Sequence, residues 1–371
     1  MVGSDRLKIV YILPIYDPAT ASHFFHICEL LKAASRDLDI FLVIERASAR
    51  LEHLAIPFYV QRFSNPMLRL AELVVLLARE RMRGRRHFYT HYSYYGALAS
   101  WFVVCVLGGE AYYWNCGMPW LYRRGSFEEA VFRFALRRTI LVTGTEGLRA
   151  EYCRRYGLAP GRTRVLPNRI NIERFRKIPN RVEARRSLGI PEDAKVVLFV
   201  HRLSRRKGAH LLPDIISSVL AAGSRAMFMI VGDGPERQDL ESRITYHDAK
   251  SRRVRIVGEV AHRDVAKYFV AADVFLMPSE EEGFPHVLLE AMAAGLPYVA
   301  SDVGGVREIT PPGLRQYVLK NAQAESYSEA VSAILNISEK DRGMLKREEM
   351  MWVEQYDLPA ITMEFVKLFE F

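Results

Sequence analysis

Short apolar runs recur along this chain with stretches of helical periodicity between them, and a parallel α/β sheet covered by helices is the architecture that buries such runs. A first series reads Lys8–Leu13, Ile40–Ile44, Phe58–Arg62, Phe88–His91, Ala111–Trp114 and Ile140–Thr143, with an apolar-periodic segment over His23–Ala34. A second reads Val196–Val200, Ala226–Val231, Val254–Val257, Val274–Met277, Tyr298–Ser301 and Tyr317–Leu319. Between them VLPNRINIERF, Val165–Phe175, is polar and proline-flanked, as suits a hinge. At 371 residues the chain exceeds one ordinary hydrophobic core. The expectation is two doubly wound, Rossmann-like domains over residues 1–175 and 176–357.

The net charge of +9 is unevenly spread: residues 1–180 hold 27 Lys and Arg against 15 Asp and Glu, whereas residues 181–371 hold 25 against 28. The first half therefore suits an anionic partner such as a phospholipid surface or a phosphate-bearing acceptor. No zinc-finger, RNP or helix-turn-helix pattern accompanies the charge, which argues against nucleic acid. Cys28, Cys105, Cys116 and Cys153 have neither Cys-x-x-Cys nor metal-ligand spacing, so a reducing, cytoplasmic setting and no metal are expected. The amino-terminal run lacks the layout of a signal peptide. The longest apolar stretch, Ala97–Leu107, is shorter than the roughly 20 residues that span a bilayer, so membrane contact would be peripheral, on the inner face.

One stretch, PSEEEGFPHVLLEAMAAGLPYVASDVGGVRE over Pro278–Glu308, concentrates chemistry. An acidic loop passes through Gly283 and Phe284 into Pro285, a residue suited to the first helical position, and Gly295 with Pro297 ends the helix. Glu282 and Glu290 bracket the helix start. Eight helical steps of about 1.5 Å separate them by roughly 12 Å, near the span from sugar ring to ribose in a nucleotide sugar. The unpaired N–H groups between them would seat a diphosphate. Alone, the spacing also describes a solvated acidic turn before a buried helix, and Glu280 and Glu281 are expected to be solvated. In HRLSRRKG, Arg202 and Lys207 follow a strand end closely enough to converge on one diphosphate, whereas Arg205 and Arg206 are expected in solvent.

The run EGFPHVLLEAMAAGLPYVASDVGG resembles the donor-site signature of glycosyltransferase family 4, retaining enzymes of the GT-B fold. The resemblance implies two Rossmann-like domains facing across a cleft, with the segment Leu358–Phe371 as a last helix recrossing to the first. It implies that Glu282 contacts hydroxyls of the transferred sugar and Glu290 the ribose, with Gly283, Phe284, Pro285 and His286 lining the donor site. IVGDGPE, with Gly234, is similar to the family's Gly-x-Gly-Pro turn, and VRIVGEV puts Gly258 and Val260 where relatives hold the base. On the acceptor side, His91 matches a recurring histidine, and Asn115 or Cys116 stands where many relatives carry another. Three departures are visible: His201 for the glycine before Arg202, Arg169 for the glycine after Pro167 and Asn168, and DPATAS, Asp17–Ser22, for a Gly-Gly turn.

The activity so implied is retaining transfer of a hexose-type sugar from a UDP- or GDP-type nucleotide sugar to a glycan or lipid-linked acceptor. The leaving phosphate can take the acceptor's proton, so the protein contributes positioning and charge stabilisation and needs no cofactor. Two basic, apolar segments, Met67–Arg86 and Trp120–Arg138, suit an anionic membrane surface or core helices with solvated arginine edges. A GT-B epimerase or phosphorylase would need further cleft residues that do not stand out. A non-catalytic nucleotide-binding relative is the remaining alternative.

Overall fold

The computed structural model describes residues 6–16, 21–47, 56–178, 180–244 and 253–370, with backbone alone at 21–24. The chain divides into two compact units, Met1–Pro167 together with Leu358–Phe371, and Asn168–Asp357. The first contains β1 (Leu7–Leu13), β2 (Leu38–Ile44), β3 (Phe58–Val60), β4 (His87–His91), β5 (Glu110–Trp114), β6 (Ile140–Thr143) and β7 (Thr163–Val165). They form one parallel sheet in the order β3-β2-β1-β4-β5-β6-β7. Ile9 through Leu13 are all buried, which is why β1 reads as a continuous apolar run rather than an alternation. Strand β7 is an addition to the sequence expectation, which has connection beginning at Val165.

The terminal helix, Leu358–Lys367, belongs to the first unit. Its Phe365 ring meets Tyr89 edge-on at 5.2 Å, and Phe369 meets Tyr112 at 5.3 Å. The Tyr112 hydroxyl donates to the Leu368 carbonyl at 2.9 Å. Such aromatic pairs add about 0.5–1.5 kcal/mol each beyond their burial, so the segment is anchored by ring contacts rather than by charge.

The second unit contains β8 (Val196–Val200), β9 (Met227–Val231), β10 (Val254–Gly258), β11 (Val274–Met277), β12 (Tyr298–Ser301) and β13 (Val318–Leu319). They are parallel in the order β10-β9-β8-β11-β12-β13. Ile215, Val219, Val331 and Ile334 pack helices onto one sheet face beside Val197, Phe228 and Val274. Buried Asp273 ties the strand starts together, accepting from the Val196 N–H at 2.7 Å and from Arg185 at 2.8 Å. The connector joins this unit earlier than the boundary at 175. Ile170 N–H donates to the Tyr356 carbonyl at 2.9 Å and Ile172 N–H to the Asp357 carboxylate at 3.2 Å, so the division falls after Pro167.

Candidate functional site

In the second sheet, β8 continues to β9 on one side while its other neighbour is β11, so the connections leave in opposite directions at the β8–β11 edge. A crevice outside the carboxyl ends of strands at such a reversal is where open α/β sheets hold ligands. The loops His201–Gly208 and Pro278–Pro285 both leave the sheet there. Two glycines pack this region closely, Gly208 between these two loops and Gly304 between the loop after β12 and the Glu282 loop. At Gly208, with φ of +74°, a Cβ would stand 2.0 Å from the Pro278 carbonyl oxygen, and at Gly304, with φ of +54°, only 1.6 Å from that of Glu282. Neither site tolerates a side chain without displacing backbone. The Glu280 N–H adds a bond to the Arg206 carbonyl at 2.9 Å.

Glu282 lies buried at the junction. Lys207 Nζ donates to its Oε1 at 2.6 Å and Ser279 Oγ to the same oxygen at 2.9 Å. His201 Nε2 is 3.1 Å from Oε1, out of line for a hydrogen bond. Burial alone would raise the Glu282 carboxyl, but the Lys207 ammonium outweighs it and holds the group at about 2. Burial, reinforced by the Lys207 charge, pushes His201 below its ordinary value, so its ring is neutral at pH 7. Arg202 is exposed, and its guanidinium has no hydrogen bond or ion pair among the described residues.

Glu290 sits on the helix His286–Ala294, which ends on Gly295 in the left-handed conformation. Burial pushes its carboxyl up to about 7, opposed in part by the Arg174 guanidinium. His262 Nε2 is 3.6 Å from Glu290 Oε1, and burial followed by Arg174 pushes that ring down to about 4. The two bracketing glutamates thus differ in kind: at neutral pH Glu282 is an anion paired to a lysine, while Glu290 is close to half protonated.

Pro285 occupies the N-cap and the helix begins at His286, one position later than its sequence suggests. Because 282–285 are loop, the estimate of eight helical steps does not apply to the separation of Glu282 and Glu290. Glu281 is a second correction: it is buried rather than solvated, with Arg206 at 3.8 Å. Glu280 is about half exposed, as are Arg205 and Arg206 or more so. The Gly283 carbonyl accepts from Gly305 at 3.0 Å. The Phe284 carbonyl accepts from the Asn168 amide at 2.9 Å, and its ring meets Tyr356 edge-on at 5.6 Å.

Gly234 follows β9, in a turn closed by Leu203 N–H to the Asp233 carbonyl at 2.9 Å and Glu236 N–H to the Leu203 carbonyl at 3.0 Å. Gly258 ends β10, its carbonyl accepting from Gly232 at 2.8 Å, and Val260 follows it partly exposed. All the donor-side candidates therefore lie at the carboxyl ends of β8 to β11 or on the helix after β11. Sequence reasoning missed Ser279, Arg174 and His262. Ser279 adjoins the acidic run and could have been found; the other two reach Glu290 only through the fold.

In the first unit, His91 ends β4 and is buried. Its Nδ1 is 2.9 Å from the Tyr11 hydroxyl, and its ring stacks on Trp114 at 4.1 Å. Asn115 follows neighbouring β5; its Oδ1 accepts from Gly117 N–H at 3.0 Å, and its amide donates to the Tyr113 hydroxyl at 3.2 Å. Cys116 is buried beside it. These three share the carboxyl edge of adjacent strands. Asp17–Thr20 of the departing DPATAS segment lie outside the described residues.

Residues 180–349 match the family described as Glycosyl transferases group 1. Over 171 residues the chain is 36% identical to the glycosyltransferase TuaC of Bacillus subtilis, covering 45% of this chain and 40% of that protein. Over 204 residues it is 32% identical to a D-inositol 3-phosphate glycosyltransferase of Geodermatophilus obscurus, covering 53% and 45%. The matched stretch spans less than half the length of these relatives. HepE of Anabaena, solved with UDP and glucose, superposes with a TM-score of 0.78 at 18% identity, covering 98% of this chain and 100% of HepE. Two parallel-sheet, Rossmann-like domains of the GT-B class account for the whole fold, and in its second domain, over residues 180–349, the sequence matches the group 1 glycosyl transferases.

Proposed function

We propose that the second unit binds a nucleotide-diphosphate sugar and that the chain is a retaining hexosyltransferase, independent of metal and of any added cofactor. The observation that carries this reading is the buried Lys207–Glu282 pair, held by two loops at the reversal of strand order, beside exposed Arg202. Lys207 and Arg202 stabilise the charge that grows on the departing nucleotide diphosphate. Glu282, kept anionic, orients sugar hydroxyls, and Glu290 accepts from the ribose hydroxyls. The bond from the anomeric carbon to the phosphate oxygen breaks, the acceptor oxygen bonds on the same face, and its proton passes to the leaving phosphate. Gly283, Phe284, Pro285 and His286 present the helix start to the diphosphate, while Gly234, Gly258 and Val260 border the nucleoside. UDP is the favoured nucleotide because HepE, of the same fold, is solved with it.

The acceptor belongs to the first unit, with His91, Asn115 and Cys116 on its strand edge. A lipid-linked or otherwise anionic acceptor, and peripheral attachment to an anionic cytoplasmic membrane face, are supported by its basic charge. Met67, Val75, Met82, Val106 and Phe127 also lie exposed on its helices, and no helix among the described residues is long and apolar enough to cross a membrane. Calorimetry with UDP and GDP, then turnover of their sugars, tests the reading. Glu290→Ala should weaken nucleotide binding, and Glu282→Ala should impair transfer more than binding of the bare nucleotide. Parent-like behaviour of both variants would refute it.

A further inference from the structure

In the first unit an open recess of about 520 Å³ lies among the segment Pro119–Arg124 and the helices Ser126–Arg138 and Glu146–Tyr156. Arg123, Arg124, Arg133 and Arg155 line it against a single carboxylate, Glu129. Its size is that of a small-molecule site.

Three of the four guanidiniums rest over aromatic rings. Arg124 lies over Phe132 at 4.3 Å, Arg133 over Tyr156 at 5.1 Å and Arg155 over Trp120 at 5.0 Å. Stacking of this kind orients the planar fork while leaving its edge N–H groups available. Arg133 bonds Glu129 through Nε at 2.7 Å, and Arg155 bonds Glu151 through Nε. The terminal amino groups of both have no hydrogen bond among the described residues. Arg124 uses Nη1 on the Pro119 carbonyl and Glu129, and Arg123 is exposed without an ion pair among the described residues. Tyr122, 47% exposed, adds an aromatic wall.

We infer that this recess is a binding site for a phosphate ester, the phosphate seated on the outward edges of Arg133, Arg155 and Arg123 and the attached group against Tyr122. Four guanidiniums against Glu129 and the Glu151 that Arg155 bonds leave two uncompensated positive charges, which a tetrahedral dianion matches better than a lone carboxylate does. Planar forks of this kind favour phosphate oxygens. The inference does not rest on the transfer reading, because its ligand binds without a nucleotide sugar.

Calorimetry of the full chain with a hexose phosphate and with inorganic phosphate, and sedimentation with phosphatidylcholine vesicles lacking or containing phosphatidic acid, test it. The expected result is saturable binding of the hexose phosphate or the phosphatidic acid vesicles. Arg123→Ala with Arg155→Ala should weaken that binding roughly tenfold or more, as loss of a charge-assisted bond requires, with circular dichroism unchanged. Hexose phosphate binding alone assigns a soluble ligand, and vesicle binding alone assigns a lipid headgroup. Arg123→Ala alone, at an exposed position, should weaken the same binding if the double variant does not fold. Failure of every probe to bind the parent, or equal binding by parent and folded variants, overturns the inference.

Discussion

The Lys207 ammonium stands 2.6 Å from the Glu282 carboxylate, both side chains buried or nearly so. Each neutralises the other before any ligand arrives, and removal of one leaves its partner uncompensated. Lys207→Ala should therefore lower stability by about 3 kcal/mol, the scale for breaking a buried pair. Chemical denaturation measures it, and Lys207→Ala combined with Glu282→Gln should recover part of the loss.

Glu282 and Glu290 should give opposite dependences of stability on pH. With Glu282 depressed to about 2, its contribution is present above its ordinary range near 4.5 and lost as pH falls from there towards 2. With Glu290 raised to about 7, its contribution is present below 4.5 and lost as pH rises from there towards 7. His262, depressed to about 4, gains stability over a similar interval as pH rises towards its ordinary value of 6.5, so the parent curve is flattened. The difference in Tm between parent and Glu290→Gln, taken from pH 4.5 to 7, isolates the Glu290 part and should move in the variant's favour as pH rises.

Glu349, on the helix Glu339–Trp352, is fully buried, and neither carboxylate oxygen has a hydrogen-bond partner among the described residues. Burial, with Glu348 adding to it, pushes this carboxyl well above its ordinary value. A buried polar group without a partner costs about 1–3 kcal/mol. Glu349→Leu should raise the melting temperature by a corresponding amount, read by scanning calorimetry.

Gly304→Ala should displace the Glu282 loop, since its Cβ would collide with the Glu282 carbonyl in a conformation that L residues adopt at a cost of about 1–3 kcal/mol. A nucleotide-induced thermal shift should shrink in this variant. Gly161→Ala, where a side chain meets nothing, serves as the control and should leave the shift intact.

The strands were legible because parallel strands buried on both faces leave uninterrupted apolar runs, and β6, β8, β11 and β12 keep their expected bounds. Strand β7 escaped because three residues beside a proline-rich connector carry too little pattern. The loops around Glu282 were legible from residue types at short spacing. Its anionic state was not, because it depends on Lys207 arriving from the other loop. Buried Glu281 looked like its solvated neighbour Glu280, since three successive glutamates carry no signal of which one turns inward. The orphaned Glu349 and the Asp273–Arg185 anchor rest on contacts between distant segments, which no local periodicity records.

The terminal segment, whose Phe365 and Phe369 dock on Tyr11, Tyr89 and Tyr112, has a consequence for biosynthesis. The segment made first leaves the ribosome without the aromatic plug that closes its core, and must wait while all of Asn168–Asp357 is translated. The later-made unit can thus reach its finished state before the earlier one. A nascent chain halted short of Leu358 would present open tyrosine faces to chaperones.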